Sequence, residues 1–373
     1  FYNLRADYEV GMIDRHNYFG GGAGGHRLAE GPVKNESMLK SPGSGLLSTG
    51  LQQVKDRPFS FSEWMSLVPN EWTAESDPII SVYGMGLQGW DASFSFATDI
   101  PRFSRLQESE RHGVYNATSP LHFGLYPVLA RMIYRNDVSE SPVIATRNVH
   151  IPSFKEGKLG FNELVKQGYD DKNFTGTVTP EMLAIGKFPV DFTESFEETV
   201  IPAMTDLWNK ESQIITSETG ELNWHYGDNP FFTVNTDATK AVVGFAQNKK
   251  VELGDWQIET ENPFAVIFVT DLSKKGDLSE AEKILVTAVA RGRNTGMKYE
   301  YSGNETVLTS TGEMPLLLEP VVAKIASKNL DNYEVRILDQ DGKITQNSIP
   351  VNDGVLKIDG ERDKTLYYLI IKK

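Results

Sequence analysis

Residues 57–72 read RPFSFSEWMSLVPNEW. Glu63 closes an alternating apolar/polar run, the pattern of a half-buried strand, and Glu71 follows eight residues later. Two indoles, Trp64 and Trp72, follow Glu63, with Glu75 a little further on. Two other runs end in a similar way. GMIDRHNYF carries Asp14, Arg15, His16, Asn17 and Tyr18, and GWDASFSFA carries Trp90 and Asp91. Carboxylates, an imidazole and flat aromatic rings suit a sugar: rings stack on the apolar C–H faces of a pyranose, while carboxylates and amides bond its hydroxyls. A carboxylate can also attack an anomeric carbon, because the oxocarbenium-like transition state is cationic.

Each of these residues also has an ordinary structural reading. A glutamate after a strand is commonly a surface or helix-capping acid, and tryptophans most often pack in cores. His16 and Tyr18 can form a satisfied polar pair. The stretch GGGAGGHR lacks the Gly-Lys-Ser/Thr ending of a phosphate-binding loop; it reads as a mobile lid or as a loop beside the substrate.

The elements that would position these groups alternate through residues 1–140. A strand ends at HNYF, a second is RPFSFSEW, a helix is expected over AESDPIISVYGMGLQ, and GWDASFSFA is a third strand. A second helix is expected over SPLHFGLYPVLARMIYRNDV, with Ser119 as its N-cap before Pro120. Strand–helix alternation predicts parallel α/β units, and in a closed barrel of such units the C-terminal strand ends share one mouth. Residues 141–222 form a linking region with weaker signals, in which ESFEETVIPAMTDLWNK is expected to be helical. Residues 223–373 hold short strands such as FFTVNT, AVIFVTD, KILVTAVA and TLYYLIIKK at regular intervals, which predicts an antiparallel β-sandwich.

Composition narrows the function classes. The chain has 373 residues, with 37 Lys+Arg against 51 Asp+Glu and a net charge of −14. Such a balance argues against a nucleic-acid groove or an anionic membrane as partner. With no cysteine, thiolate metal sites, disulfides and a cysteine nucleophile are excluded. No G-x-S-x-G elbow and no H-E-x-x-H spacing occurs, so neither a serine hydrolase nor a metal or other cofactor is expected. No apolar run approaches the roughly 20 residues of a membrane span. The opening at Phe1 reads like the middle of a helix and suggests a processed product or fragment. Sequons at Asn35, Asn116, Asn173 and Asn304 are compatible with secretion.

PFSFSEWMSLVPNEWTAES, SVYGMGLQGWDASFSFA and SPLHFGLYPVLARMIYRNDV together resemble the last strands of a clan-A (β/α)8 glycoside hydrolase, of family 42-like or agarase-like type. Residues 216–245 and 283–299 resemble β-domains appended to such enzymes. The resemblance implies the C-terminal part of a TIM barrel followed by a β-sandwich, and a retaining hydrolase that cleaves a polysaccharide, with marine galactans such as agarose, porphyran or carrageenan the leading substrates. It implies Glu63 as the nucleophile, His16 and Tyr18 bonding sugar hydroxyls or holding Glu63, Trp64, Trp72 and Trp90 as subsite walls, and Glu75 and Asp91 as further binding residues. The acid/base glutamate is implied on an upstream strand, because the first 140 residues fall short of the roughly 250 of a whole barrel. The N-terminal remainder of that barrel is then a partner, and secretion to the periplasm or the outer surface of a bacterium is implied. Arg15, His26 and Arg27 would suit a sulfated sugar, or are ordinary loop charges. Trp224 and Trp256 are the one aromatic platform the C-terminal part offers. The competing reading is a non-catalytic carbohydrate-binding protein of glycosidase descent.

Overall fold

The apolar runs named above do form strands. In the computed structural model, which describes residues 2–99, 102–158, 163–168 and 170–373, the N-terminal region holds β1 (Ile13–Gly20), β2 (Gly31–Val33), β3 (Phe59–Leu67) and β4 (Ala92–Ser95). Phe1, on which the reading of a processed start rests, lies outside the described residues. β1, β3 and β4 pair in parallel, with β3 in the middle.

The expected (β/α)8 portion is not what they build. Three strands make an open sheet, and the connections between them are not the α-helices of a barrel. From β1 to β3 the chain runs through the glycine-rich loop, β2 and two 3-10 helices, Met38–Lys40 and Gly45–Gln52. From β3 to β4 it runs through a 3-10 turn, a single turn at Ser76–Pro78 and a π-helix over Ile79–Leu87. Glycine explains part of this: Gly43, Gly45 and Gly50 punctuate the first connection and weaken any α-helix there. In the second, Gly84 admits the Trp90 indole against the backbone, where a Cβ would lie 2.7 Å from Trp90 Cε3. Elsewhere strands predominate and pair mostly antiparallel. The chain is therefore mainly β rather than α/β, and an upstream remainder of a barrel loses its structural basis as a partner.

α-Helix forms at Tyr2–Val10, Pro120–Phe123 and Tyr126–Arg135; the last two lie in the expected segment. The Ser119 hydroxyl caps Pro120–Phe123 by accepting from Leu121 N, and Asn136, left-handed at φ 56, ends Tyr126–Arg135. Residues 194–210 are not helical, and Pro202 in mid-segment removes the backbone donor a helix would need.

Two antiparallel sheets occupy most of the C-terminal half. One has ten strands and begins at Trp208, and the other has five. Phe231, Val242, Ile267 and Val269 on one face of the larger sheet meet Trp256, Ile258, Ile325 and Leu356 of the smaller one. The alternate residues Trp224, Phe232, Val243 and Phe268 point the other way, into the core shared with Leu39, Phe61 and Tyr83. Strands Thr239–Gly244 and Ala265–Asp271 are accordingly buried at every position, as strands covered on both faces must be. Trp224 is fully buried, its Nε1 donating to Leu39 O at 3.0 Å, and Trp256 is 6 % exposed. Neither forms an open platform.

Candidate functional site

β1 and β3 place His16 and Glu63 opposite each other in register. The β3 ladder is irregular there, with one register shift against β1 after Arg15 and another against β4 between Phe61 and Trp64. Such a bulge re-aims side chains. Ser62 and Glu63, consecutive in sequence, are both part-exposed, and Trp64 turns into the core.

Three of the expected residues come together. Tyr18 Oη donates to Glu63 Oε2 at 2.8 Å, and His16 Nδ1 stands 3.3 Å from the same oxygen. Ser62 Oγ donates to Asp14 Oδ2 at 2.7 Å and lies 2.9 Å from His16 Nε2, which fixes the imidazole between two acidic partners. Burial, the hydrogen bond to Glu63 and the charge of that carboxylate hold the Tyr18 phenol well above its ordinary range. It is therefore a neutral donor at any working pH. Glu63 keeps 35 % of its side chain exposed and opens onto a cavity of about 380 Å³.

The rest of that cavity comes from parts of the chain with no local signal of a site. Phe96, joined to Ala97 by a cis peptide bond, and Tyr115 form aromatic walls. Their rings stand edge-on to one another at 5.4 Å and to Tyr18 at 6.3 and 5.0 Å. A hairpin of Leu164–Gln167 and Lys172–Thr175 adds Gln167, Asp170 and Lys172. Asn17, buried in β1, fixes this hairpin: its Oδ1 accepts from Lys172 N at 2.7 Å, and its Nδ2 donates to Lys172 O at 2.8 Å and Thr49 Oγ1 at 3.0 Å. Asp170 Oδ2 accepts from Tyr115 Oη and lies 3.9 Å from His26 Nε2. Tyr169 lies outside the described residues.

The other expected residues lie elsewhere. Trp64 is a core residue, stacked on Phe61 with its Nε1 donating to Ser93 Oγ at 2.8 Å. Trp90 is 2 % exposed and packs on Phe59 and Phe61. Trp72 bridges to the C-terminal half, against Phe245 at 4.8 Å and Phe264 at 5.4 Å. Glu75 is fully buried and bonded to Ser37 and Met38 N, and burial pushes its carboxyl up to about 8. Asp91 accepts from Phe59 N at 2.8 Å, at the N-terminal end of β3. These are corrections to the site. The indoles follow Glu63 in sequence, but a strand turns successive side chains to opposite faces.

Of the three cations that would suit sulfate, only His26 lines the cavity. Arg15 is paired with Asp7 at 2.6 Å and Arg27 with Glu108 at 3.5 Å. The glycine-rich loop is tied down rather than free: Ala23 N donates to Pro32 O at 3.0 Å, and β2 pairs with strand Glu305–Ser310. The Asn116 amide is buried and donates to Leu106 O and Gln107 O, so the fold closes that sequon to modification. Among the described residues no group of three His, Asp or Glu could hold a metal ion, and no helix is long and apolar enough to cross a membrane.

No family model matches this sequence, and no curated protein or solved structure matches it.

Proposed function

We propose that the Glu63 cavity is the sugar site of a retaining glycoside hydrolase acting on a polysaccharide of the galactan type, with Glu63 as the attacking carboxylate. The observation that carries this reading is a part-exposed carboxylate held on one oxygen by Tyr18 and His16, at the floor of a cavity walled by Tyr18, Phe96 and Tyr115. Tyr18 and His16 orient Glu63 Oε2, leaving the other oxygen for attack at an anomeric carbon. The aromatic walls would take the C–H faces of the ring, and Asp170 and Gln167 its hydroxyls. The resemblance of residues 58–76 to glycosidase segments supports the same reading. It also supports a secreted, periplasmic or outer-surface location for the enzyme.

The test separates the nucleophile from the acid. A 2-deoxy-2-fluoro-galactosyl fluoride carries a leaving group that needs little acid assistance, so attack by Glu63 alone would leave a stable ester. Peptide mass spectrometry is expected to find the adduct on Glu63 and none in Glu63→Gln. An unlabelled protein, or a label on another residue, overturns the nucleophile. Binding of oligosaccharide without labelling is the outcome of the second reading, a non-catalytic carbohydrate-binding protein. That the second carboxylate on the cavity wall, Asp170, is engaged by the Tyr115 hydroxyl favours that alternative.

A further inference from the structure

Resting on that sugar site, we infer that the cavity selects an uncharged ring over a sulfated or carboxylated one, and that Asp170 sets this preference. Asp170 and Asp171 are neighbours in one turn and have opposite fates. Asp171 is paired with the ammonium of Lys34, whereas Asp170 faces the cavity and accepts from the Tyr115 hydroxyl. With Glu63 it gives the wall two carboxylates. Against them stands one ammonium, Lys172, which donates to His16 O at 3.2 Å. The nearby guanidinium groups of Arg15 and Arg27 are already held by Asp7 and Glu108. Among the described residues no guanidinium lines the cavity, and a guanidinium fork is what recognition of sulfate requires.

The balance of charge then decides between ligands. A neutral ring offers hydroxyl donors to Glu63 and Asp170 and C–H faces to Tyr18, Tyr115 and Phe96. A sulfate ester offers acceptors only, and would bring a second anion beside two carboxylates in a cavity whose walls are partly apolar, where charge is weakly screened. His16 and His26 also face this space, at 3.3 Å from Glu63 and 3.9 Å from Asp170, and belong to its polar lining. The experiment holds the pH fixed and equal for the two ligands.

The measurement is calorimetric titration of the whole chain with a neutral oligogalactan and with its sulfated counterpart, at about 50 mM salt so that screening stays weak. Wild type is expected to bind the neutral sugar at least about tenfold more tightly. Asp170→Asn, which keeps an acceptor for Tyr115, is expected to narrow that ratio several-fold, and Lys172→Gln to widen it. Equal or tighter binding of the sulfated sugar by wild type overturns the selectivity and leaves the sugar site standing. A ratio unchanged in a folded Asp170→Asn, as judged by circular dichroism, overturns the role of Asp170. If neither sugar binds wild type, the sugar site itself falls and the selectivity with it.

Discussion

Replacing Glu75 by glutamine is expected to stabilise the protein, and increasingly so as the pH rises. The carboxyl is fully buried, its Oε1 accepts from Met38 N at 2.6 Å, and Ser37 Oγ lies 2.6 Å from Oε2. Burial raises its pKa from 4.5 to about 8, against the opposing pull of Ser37, Met38 N and Lys40. The folded state thus holds a proton that the unfolded chain has lost over that interval. A folded pKa above the unfolded one stabilises fully below pH 4.5, and that contribution is lost as pH rises through about 8. At about 1.4 kcal/mol per pH unit, the interval amounts to about 5 kcal/mol. Glutamine reproduces the neutral acid: its carbonyl accepts from Met38 N and its amide donates to Ser37 Oγ, with no proton to lose. Denaturant unfolding of wild type and Glu75→Gln at a series of pH values, followed by tryptophan fluorescence, measures the difference. Other titrating groups cancel in that difference, because they are common to both proteins. The two curves should meet near pH 4.5 and diverge by several kcal/mol toward pH 9. A difference flat with pH, or a glutamine variant weaker at pH 9, refutes the assignment of Glu75 as a buried neutral acid. If the proposed sugar site is correct, unaltered fluoro-sugar labelling of Glu63 in the same variant would separate Glu75 from that cavity.

Glu71 behaves in the opposite sense. It is 2 % exposed and accepts from Asn35 Nδ2 at 2.9 Å, Tyr301 Oη at 2.7 Å and Arg293, and although burial opposes them, these partners lower its pKa. Glu71→Ala should cost about 1–3 kcal/mol in denaturant unfolding by removing the acceptor shared by Asn35, Tyr301 and Arg293. The stability Glu71 confers should be present above its ordinary pKa of 4.5 and be lost as the pH falls below it, so the deficit of the alanine variant shrinks in acid. Asn17→Ala removes five side-chain hydrogen bonds, two of them to Lys172, and the amides of residues 164–168 and 170–175 should exchange faster with deuterium while those of β3 do not; equal protection in both proteins would contradict the clamp. Trp72→Ala should destabilise by about 3 kcal/mol through lost contact with Phe245 and Phe264. Oligosaccharide affinity should not change, and a fall of more than a few-fold would return Trp72 to the site.

How much of this was legible in the sequence depends on distance along the chain. Alternation in PFSFSEWMSL marks β3, and Glu63 and His16 face each other because both strands carry polar side chains where they run side by side. The indoles misled because nearness in sequence is not nearness in space: Trp64 is adjacent to Glu63 and points to the opposite face. That consequence of strand geometry was available before any coordinates. Tyr115 and Asp170 were not legible in this way. They sit in the irregular stretches HGVYNATSP and GYDDKNFTG, where polar residues are the rule, and only the Asn17 clamp and the Phe96 wall bring them to Glu63. The barrel was inferred from strand–helix alternation, but the apolar pattern between the strands does not distinguish an α-helix from 3-10 and π turns broken by glycine. The C-terminal strands were plainer, since β-branched and aromatic runs separated by turn residues leave little alternative.

The two halves of the chain are not independent where the site is concerned. His26 reaches the cavity from the glycine-rich loop, and that loop is anchored at β2, whose partner Glu305–Ser310 belongs to the C-terminal half. On its other side, His26 O accepts from Val114 N at 3.1 Å, one residue before Tyr115. Tyr115 in turn donates to Asp170. A continuous path of ladder and side-chain hydrogen bonds therefore runs from the C-terminal strands through the loop to the wall opposite Glu63. Cutting the path at β2 would leave β1 and β3 paired and Glu63 bonded to Tyr18, yet remove one of the anchors of the loop that carries His26. The C-terminal sheets thus act on the cavity by holding its rim, while Glu63 itself is held by the parallel strands.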